Sequence, residues 1–136
     1  MRFDTKIAIA VRDDLAQWQA LNVTAFLASG VLGAAPELLG EPYMDGSGNL
    51  YLSLFRQPVL IYAAGSEELK MAHSRALARG LRAAVYTEEM FSTGNDADNR
   101  AVVAAVQAGD LNLVGLALHA ARADVDRVFK GMHLHP

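Results

Sequence analysis

The sequence predicts an α/β protein: a mixed, mainly parallel four-stranded sheet with helices on both faces, and a short hairpin adding an edge strand. Two observations carry that expectation. Short apolar runs with β-branched residues alternate with helical patterns along the whole chain. The length of 136 residues, 52% of them hydrophobic, suits one core and is too short for two, so a single domain over 1–136 is expected.

Lys6 to Val11 is a compact apolar run stopped by Arg12, Asp13 and Asp14, the pattern of a buried strand. Asp13 or Asp14 is positioned to cap a helix over residues 17–32. Leu21, Val23, Phe26, Leu27 and Val31 lie nearly all round that helix, which predicts burial on more than one side, under other elements or against a second subunit. Pro36, Gly40 and Pro42 punctuate a connection to a hairpin, in which Tyr43-Met44 and Leu50-Tyr51-Leu52 flank the turn residues Asp45 to Asn49. Residues 58–63 form a continuous apolar strand. Ser66, followed by Glu67 and Glu68, is the expected cap of an amphipathic helix that closes at Gly80 after Arg75 and Arg79. A strand over 81–86 and a polar loop lead to a helix over 98–108, a last strand over 111–118 and a last helix over 123–130. Such alternation implies right-handed crossovers and parallel neighbours.

Composition narrows the chemistry. With no cysteine there is no disulfide, thiolate metal site or cysteine nucleophile, and a reducing, bacterial-type cytoplasm fits. Fifteen acids against twelve bases and no basic run argue against nucleic acid as a partner. The N-terminal apolar stretch, Ile7 to Val11, is too short for a signal peptide or a membrane span. No phosphate loop, dinucleotide fingerprint or nucleophile elbow occurs, so no cofactor is expected. His73 is read as solvent-facing on its helix. His133 and His135 have the spacing of metal ligands on a strand, but they fall in a terminal segment read as a fraying tail, and no metal site is assigned.

Ligands of open α/β sheets collect at the carboxyl ends of strands. Asp14, Trp18, Asn22 and Thr24 follow the first strand there, and Glu89, Thr93 and Asn95 follow the strand over 81–86. The second group brings hydroxyl, amide and carboxylate groups around a glycine, a set able to surround a small polar ligand. The competing reading is structural: Thr93, Asn95 and Asp96 are also good helix caps.

The run Lys6-Ile7-Ala8-Ile9-Ala10-Val11-Arg12-Asp13-Asp14-Leu15 resembles the opening of type II peptidyl-tRNA hydrolases. Ser66-Glu67-Glu68-Leu69, Ala78-Arg79-Gly80-Leu81, Gly115 to Leu118 and Val125 to Val128 are similar in kind and order. The whole, with Phe26 to Gly30 inside Leu21 onward, resembles an uncharacterised bacterial family of unknown function assigned that fold. The resemblance implies a mixed four-stranded sheet flanked by helices, and a homodimer. The hydrolases open their first helix with Lys-x-Ala-Ala-Gln. Here Asn22 stands for that lysine and Phe26 for the glutamine, and an asparagine has no cationic form with which to neutralise a phosphate. The hydrolases' Asp-Ala-Gly-x-Thr turn corresponds to Glu89 to Thr93.

Three functions follow as expectations. The first is a small-ligand-binding or regulatory domain using Asp14, Trp18, Asn22, Thr24, Thr93 and Asn95. The second is a hydrolase of a small ester or amide, with Glu89 as base, Thr93 polarising water and Asn22 donating to an oxyanion. The third is a homodimeric interaction module with the apolar helix over 17–32 as its interface.

Overall fold

The computed structural model describes residues 2–136. Its main sheet has five strands: β1 (Thr5–Arg12), β4 (Val59–Ala64), β5 (Ala84–Thr87), β6 (Leu113–Ala121) and β7 (His133–Leu134), in the order β5-β6-β1-β4-β7. A separate two-stranded sheet pairs β2 (Tyr43–Met44) with β3 (Leu50–Tyr51). The helices are α1 (Gln17–Ala34), α2 (Ser66–Ala78), α3 (Asp96–Ala104) and α4 (Arg122–Val128).

β1 is central because both its faces are apolar. Ile7, Ile9 and Val11 join Val23, Leu27 and Val31 of α1 in one buried cluster. Ala8 and Ala10 face Leu69, Ala72 and Ala76 of α2 and Val125 and Val128 of α4 in the other. Helices therefore cover both faces, as expected, and the small alanines let two of them approach one side.

The sheet is not mainly parallel, nor four-stranded. Only β1 and β4 run in the same direction, and the other three neighbouring pairs are antiparallel. The reason lies in the segment 88–112. Thr87 at the end of β5 pairs with Leu113 at the start of β6, and the Glu88 amide donates to the Asn112 carbonyl at 3.0 Å, a normal ladder distance. The whole segment is thus a long hairpin excursion whose two ends meet. Its helix, α3, buries no residue and so cannot serve as a crossover packed on the sheet.

Further expectations need correction. The hairpin is no edge strand of the main sheet; it stands apart, held at its base by Gly40 N–H to Leu54 C=O and Arg56 N–H to Leu38 C=O, both at 2.8 Å. The terminal segment does not fray, because β7 pairs antiparallel with β4 and forms an edge of the sheet. α1 is buried along one stripe only, leaving Trp18, Leu21 and Phe26 at least half exposed. Neither Asp13 nor Asp14 caps it; the Ala16 amide donates instead to the Gln19 side chain at 3.0 Å. Gly65, not Ser66, is the cap residue of α2, its amide donating to Glu68 at 3.0 Å. His73 faces inward beside Leu69, Ala72 and Ala76, and burial pulls its pKa below the ordinary value of 6.5. Gly80 does end α2 with a φ of +66°, the left-handed C′ position glycine favours.

Candidate functional site

A cleft of about 950 Å³ opens between α1, β5 and the 88–112 excursion. It exists because that excursion leaves the sheet and returns beside itself, so α3 stands off from the core and faces α1 across a gap. On the α1 side, Trp18, Asn22 and Phe26 are spaced four apart and lie on one stripe. On the other side stand Phe91, Thr93 and Asn99, with Tyr86 of β5 at the floor.

The aromatic rings form a continuous chain. Trp18 meets Phe91 edge-on at 6.0 Å between centroids, Phe91 meets Tyr86 at 5.2 Å, and Tyr86 meets Phe26 at 5.6 Å. These tilted and edge-to-face arrangements are the favoured ones and fix the rings against one another. Tyr86 is buried at 4% exposure, whereas Trp18 and Phe26 are 63% and 50% exposed, so the chain is anchored at its middle and open at its ends.

Polar atoms are set among the rings. The Asn22 amide reaches the Tyr86 hydroxyl at 3.5 Å. Burial raises the Tyr86 pKa, opposed by the Asn22 bond, so this phenol stays protonated at neutral pH. The Thr93 hydroxyl donates to the Met90 carbonyl at 2.9 Å and also bonds the Asn99 amide. Asn95 caps α3 by accepting from the Asp98 amide at 2.8 Å, while donating to the Asp98 carboxylate at 2.9 Å.

The excursion is pinned at its root by Arg12. Its guanidinium contacts Asp14 at 2.5 Å, Glu88 at 3.1 Å and Asn112 at 3.4 Å, and Asn112 donates to Glu88 at 2.6 Å. The bond from Asn112, followed by the Arg12 bonds and charge, holds the Glu88 carboxyl below its ordinary range. Partial burial works against the Arg12 charge, yet the Asp14 and Glu88 bonds outweigh it and raise its pKa.

The structure brings Trp18, Asn22, Thr93 and Asn95 to one cleft. It does not bring Asp14, Thr24 or Glu89 there. Asp14 is occupied with Arg12, the Thr24 hydroxyl donates back to the Ala20 carbonyl at 2.7 Å, and Glu89 is exposed outside the lining. Asn22 and Thr93 therefore share a cavity that Glu89 does not enter. Asn95 borders it with its side chain already committed to the cap. Sequence reasoning did not select Tyr86 or Asn99. Asn99 lies one helical turn beyond Asn95, and that spacing was the available signal.

Chemically, the lining carries two ionised side chains, Asp96 and Arg100, which pair with each other on the exposed side of α3. Among the described residues no three His, Asp or Glu side chains cluster as metal ligands, and no helix is long and apolar enough to cross a membrane.

Fold and cleft together define a mixed-sheet α/β protein with one amphipathic side cleft. The chain belongs to DUF2000, a family of proteins of unknown function, whose match spans residues 5–136. A solved structure of a protein of unknown function from Agrobacterium tumefaciens strain C58 is similar, with 49% identity, a TM-score of 0.97, and coverage of 99% of this chain and 100% of that one. No curated protein matches the chain. Membership in a family of unknown function is what the residue resemblance implied.

Proposed function

We propose that the protein binds a small amphipathic molecule in the α1–excursion cleft, on a peptidyl-tRNA hydrolase II-like scaffold that has lost the hydrolase chemistry. One observation carries this reading: a chain of four mutually packed aromatic rings lines a 950 Å³ cavity that also holds amide groups from two sides. Apolar walls with a few convergent polar groups are the usual make-up of a small-molecule site. The scaffold assignment is supported by the residue likeness of β1 and by Asn22 and Phe26, at the positions of the hydrolases' lysine and glutamine, both lining the cleft. The hydrolase alternative lacks support, since its base, Glu89, stands outside the cavity. Among the described residues the lining holds one base, Arg100, paired with Asp96, which favours a small neutral ligand over nucleic acid. On the same reading the chain is one domain over 1–136 that works in a bacterial-type cytoplasm, where a protein without cysteine is at home.

A thermal-shift screen of small metabolites tests the proposal. A ligand at a hundredfold excess over its Kd is expected to add about 2.7 kcal/mol of stability. Asn22→Ala is expected to reduce that shift. Stabilising compounds indifferent to both Asn22→Ala and Thr93→Ala would place the site elsewhere.

A second reading, self-association, draws on the hairpin. Met44, Leu50, Leu52 and Leu54 are 59–87% exposed, an apolar surface that a second copy would cover. The hairpin thus offers a contact between subunits in addition to the exposed Trp18, Leu21 and Phe26 of α1.

A further inference from the structure

We infer that the ligand of this cleft is an uncharged, planar ring compound that presents a donor and an acceptor side by side on one edge, as an amide or lactam does. The inference rests on the binding reading above and specifies its ligand. Three features of the cavity carry it.

The first is hydrogen-bonding capacity left over among the described residues. A primary amide has two N–H hydrogens and an oxygen with two lone pairs. Asn22 uses one hydrogen on Tyr86, so its oxygen and second hydrogen stay free. Asn99 makes a single bond, to Thr93. Whichever end of the Asn99 amide faces that hydroxyl, at least one hydrogen and one lone pair remain. The Tyr86 hydroxyl accepts from Asn22 and keeps its own hydrogen. The cleft thus holds donors and acceptors in matched supply. A ligand with acceptors alone would leave the asparagine oxygens unpaired on burial, with their hydration lost and nothing in its place.

The second feature is shape. Asn22 lies midway between Trp18 and Phe26, one helical turn (roughly 6 Å of rise) from each. Both rings are at least half exposed, while Tyr86 and Phe91 packed behind them hold their orientation. A flat ring lying on either aromatic surface therefore sits one helical turn from the Asn22 amide.

The third is charge. Asp96 and Arg100 neutralise each other at the rim, and among the described residues no other ionised side chain lines the cavity. An ionic ligand would be stripped of water without a compensating partner.

The test uses three probes that share one ring system: 2-quinolone, with donor and acceptor; N-methyl-2-quinolone, with the acceptor alone; and quinoline-2-carboxylate, an anion. Trp18 is the single tryptophan of the chain, so its fluorescence reports occupancy directly, with calorimetry as a check. 2-Quinolone is expected to bind at least tenfold tighter than either relative. Asn99→Ala and Asn22→Ala, each confirmed folded by an unchanged circular dichroism spectrum, are expected to remove that preference. Equal or tighter binding of the N-methyl compound or the anion overturns the amide-edge assignment and leaves the cleft reading intact. Preference retained in both variants also overturns it. If none of the three binds, the assignment fails; the cleft reading falls with it only when the metabolite screen finds no stabilising compound either.

Discussion

His73 shows how a single buried side chain sets the acid response. Burial keeps it neutral in the folded protein and lowers its pKa below 6.5. The unfolded chain then takes up a proton more readily, so stability declines as the pH falls below about 6.5 and stops declining once the folded form is protonated too. Glu88 acts lower on the scale. Its folded pKa lies below the ordinary 4.5, so its contribution is complete above that value and lost as the pH falls through the folded one. Urea titrations between pH 7 and 5 are expected to show a falling free energy of unfolding in the native chain and a flatter profile in His73→Gln. An equal slope in both would remove His73 as the source. The residues that read as ligands in the sequence divide by what their atoms already do. Asn22 keeps spare capacity; Asn95 and Thr24 spend theirs on the helices that carry them.

Close approach of elements depends on missing side chains. A Cβ on Gly115 of β6 would lie 2.5 Å from Val23 and 2.8 Å from Leu27, both in the buried stripe of α1. Gly115→Ala is therefore expected to push α1 off the sheet and to cost about 1–3 kcal/mol, measurable as a lower urea midpoint. An unchanged midpoint would mean α1 shifts freely. Since α1 also forms one wall of the cleft, the same variant should weaken any ligand found by the screen. The opposite wall depends on Arg12, whose side chain is 13% exposed and links β1 to Glu88 and Asn112. Arg12→Ala is expected to accelerate amide exchange across residues 88–95 by about tenfold, equivalent to ~1.4 kcal/mol of lost local stability, with α2 unaffected. Unchanged exchange there would show that packing of Tyr86, Met90 and Phe91 alone holds the excursion. The hairpin is organised by Asp45, which accepts from the Tyr51 hydroxyl at 2.7 Å and from Asn49, bonds that draw its pKa down strongly.

At the scale of the whole molecule, the proposed self-association through the exposed hairpin leucines has a direct test. Light scattering is expected to give twice the chain mass of 14.6 kDa, and Leu52→Asp to return it to the monomer value. A monomer at all concentrations would leave the hairpin without that role. The alternation of apolar runs and helical patterns was enough to place the four helices, four of the five main-sheet strands and the covering of both faces, because burial of those elements is written in their own residues; β7, short and exposed, carries no such pattern and read as a tail. The register of loop polarity likewise marked Trp18, Asn22 and Thr93. Strand direction was not local information. An apolar strand such as β6 reads the same whether it runs parallel or antiparallel to β1, and only the pairing of Thr87 with Leu113 shows that the chain turned back. The same holds for His73, whose inward face depends on how α2 is rotated against the sheet, and for Tyr86 and Asn99, which become neighbours of Asn22 across 64 or more residues only when the excursion folds beside α1. Local pattern determined the elements and the chemical groups available; tertiary pairing decided which groups share a cavity, because convergence depends on contacts between residues far apart in the chain.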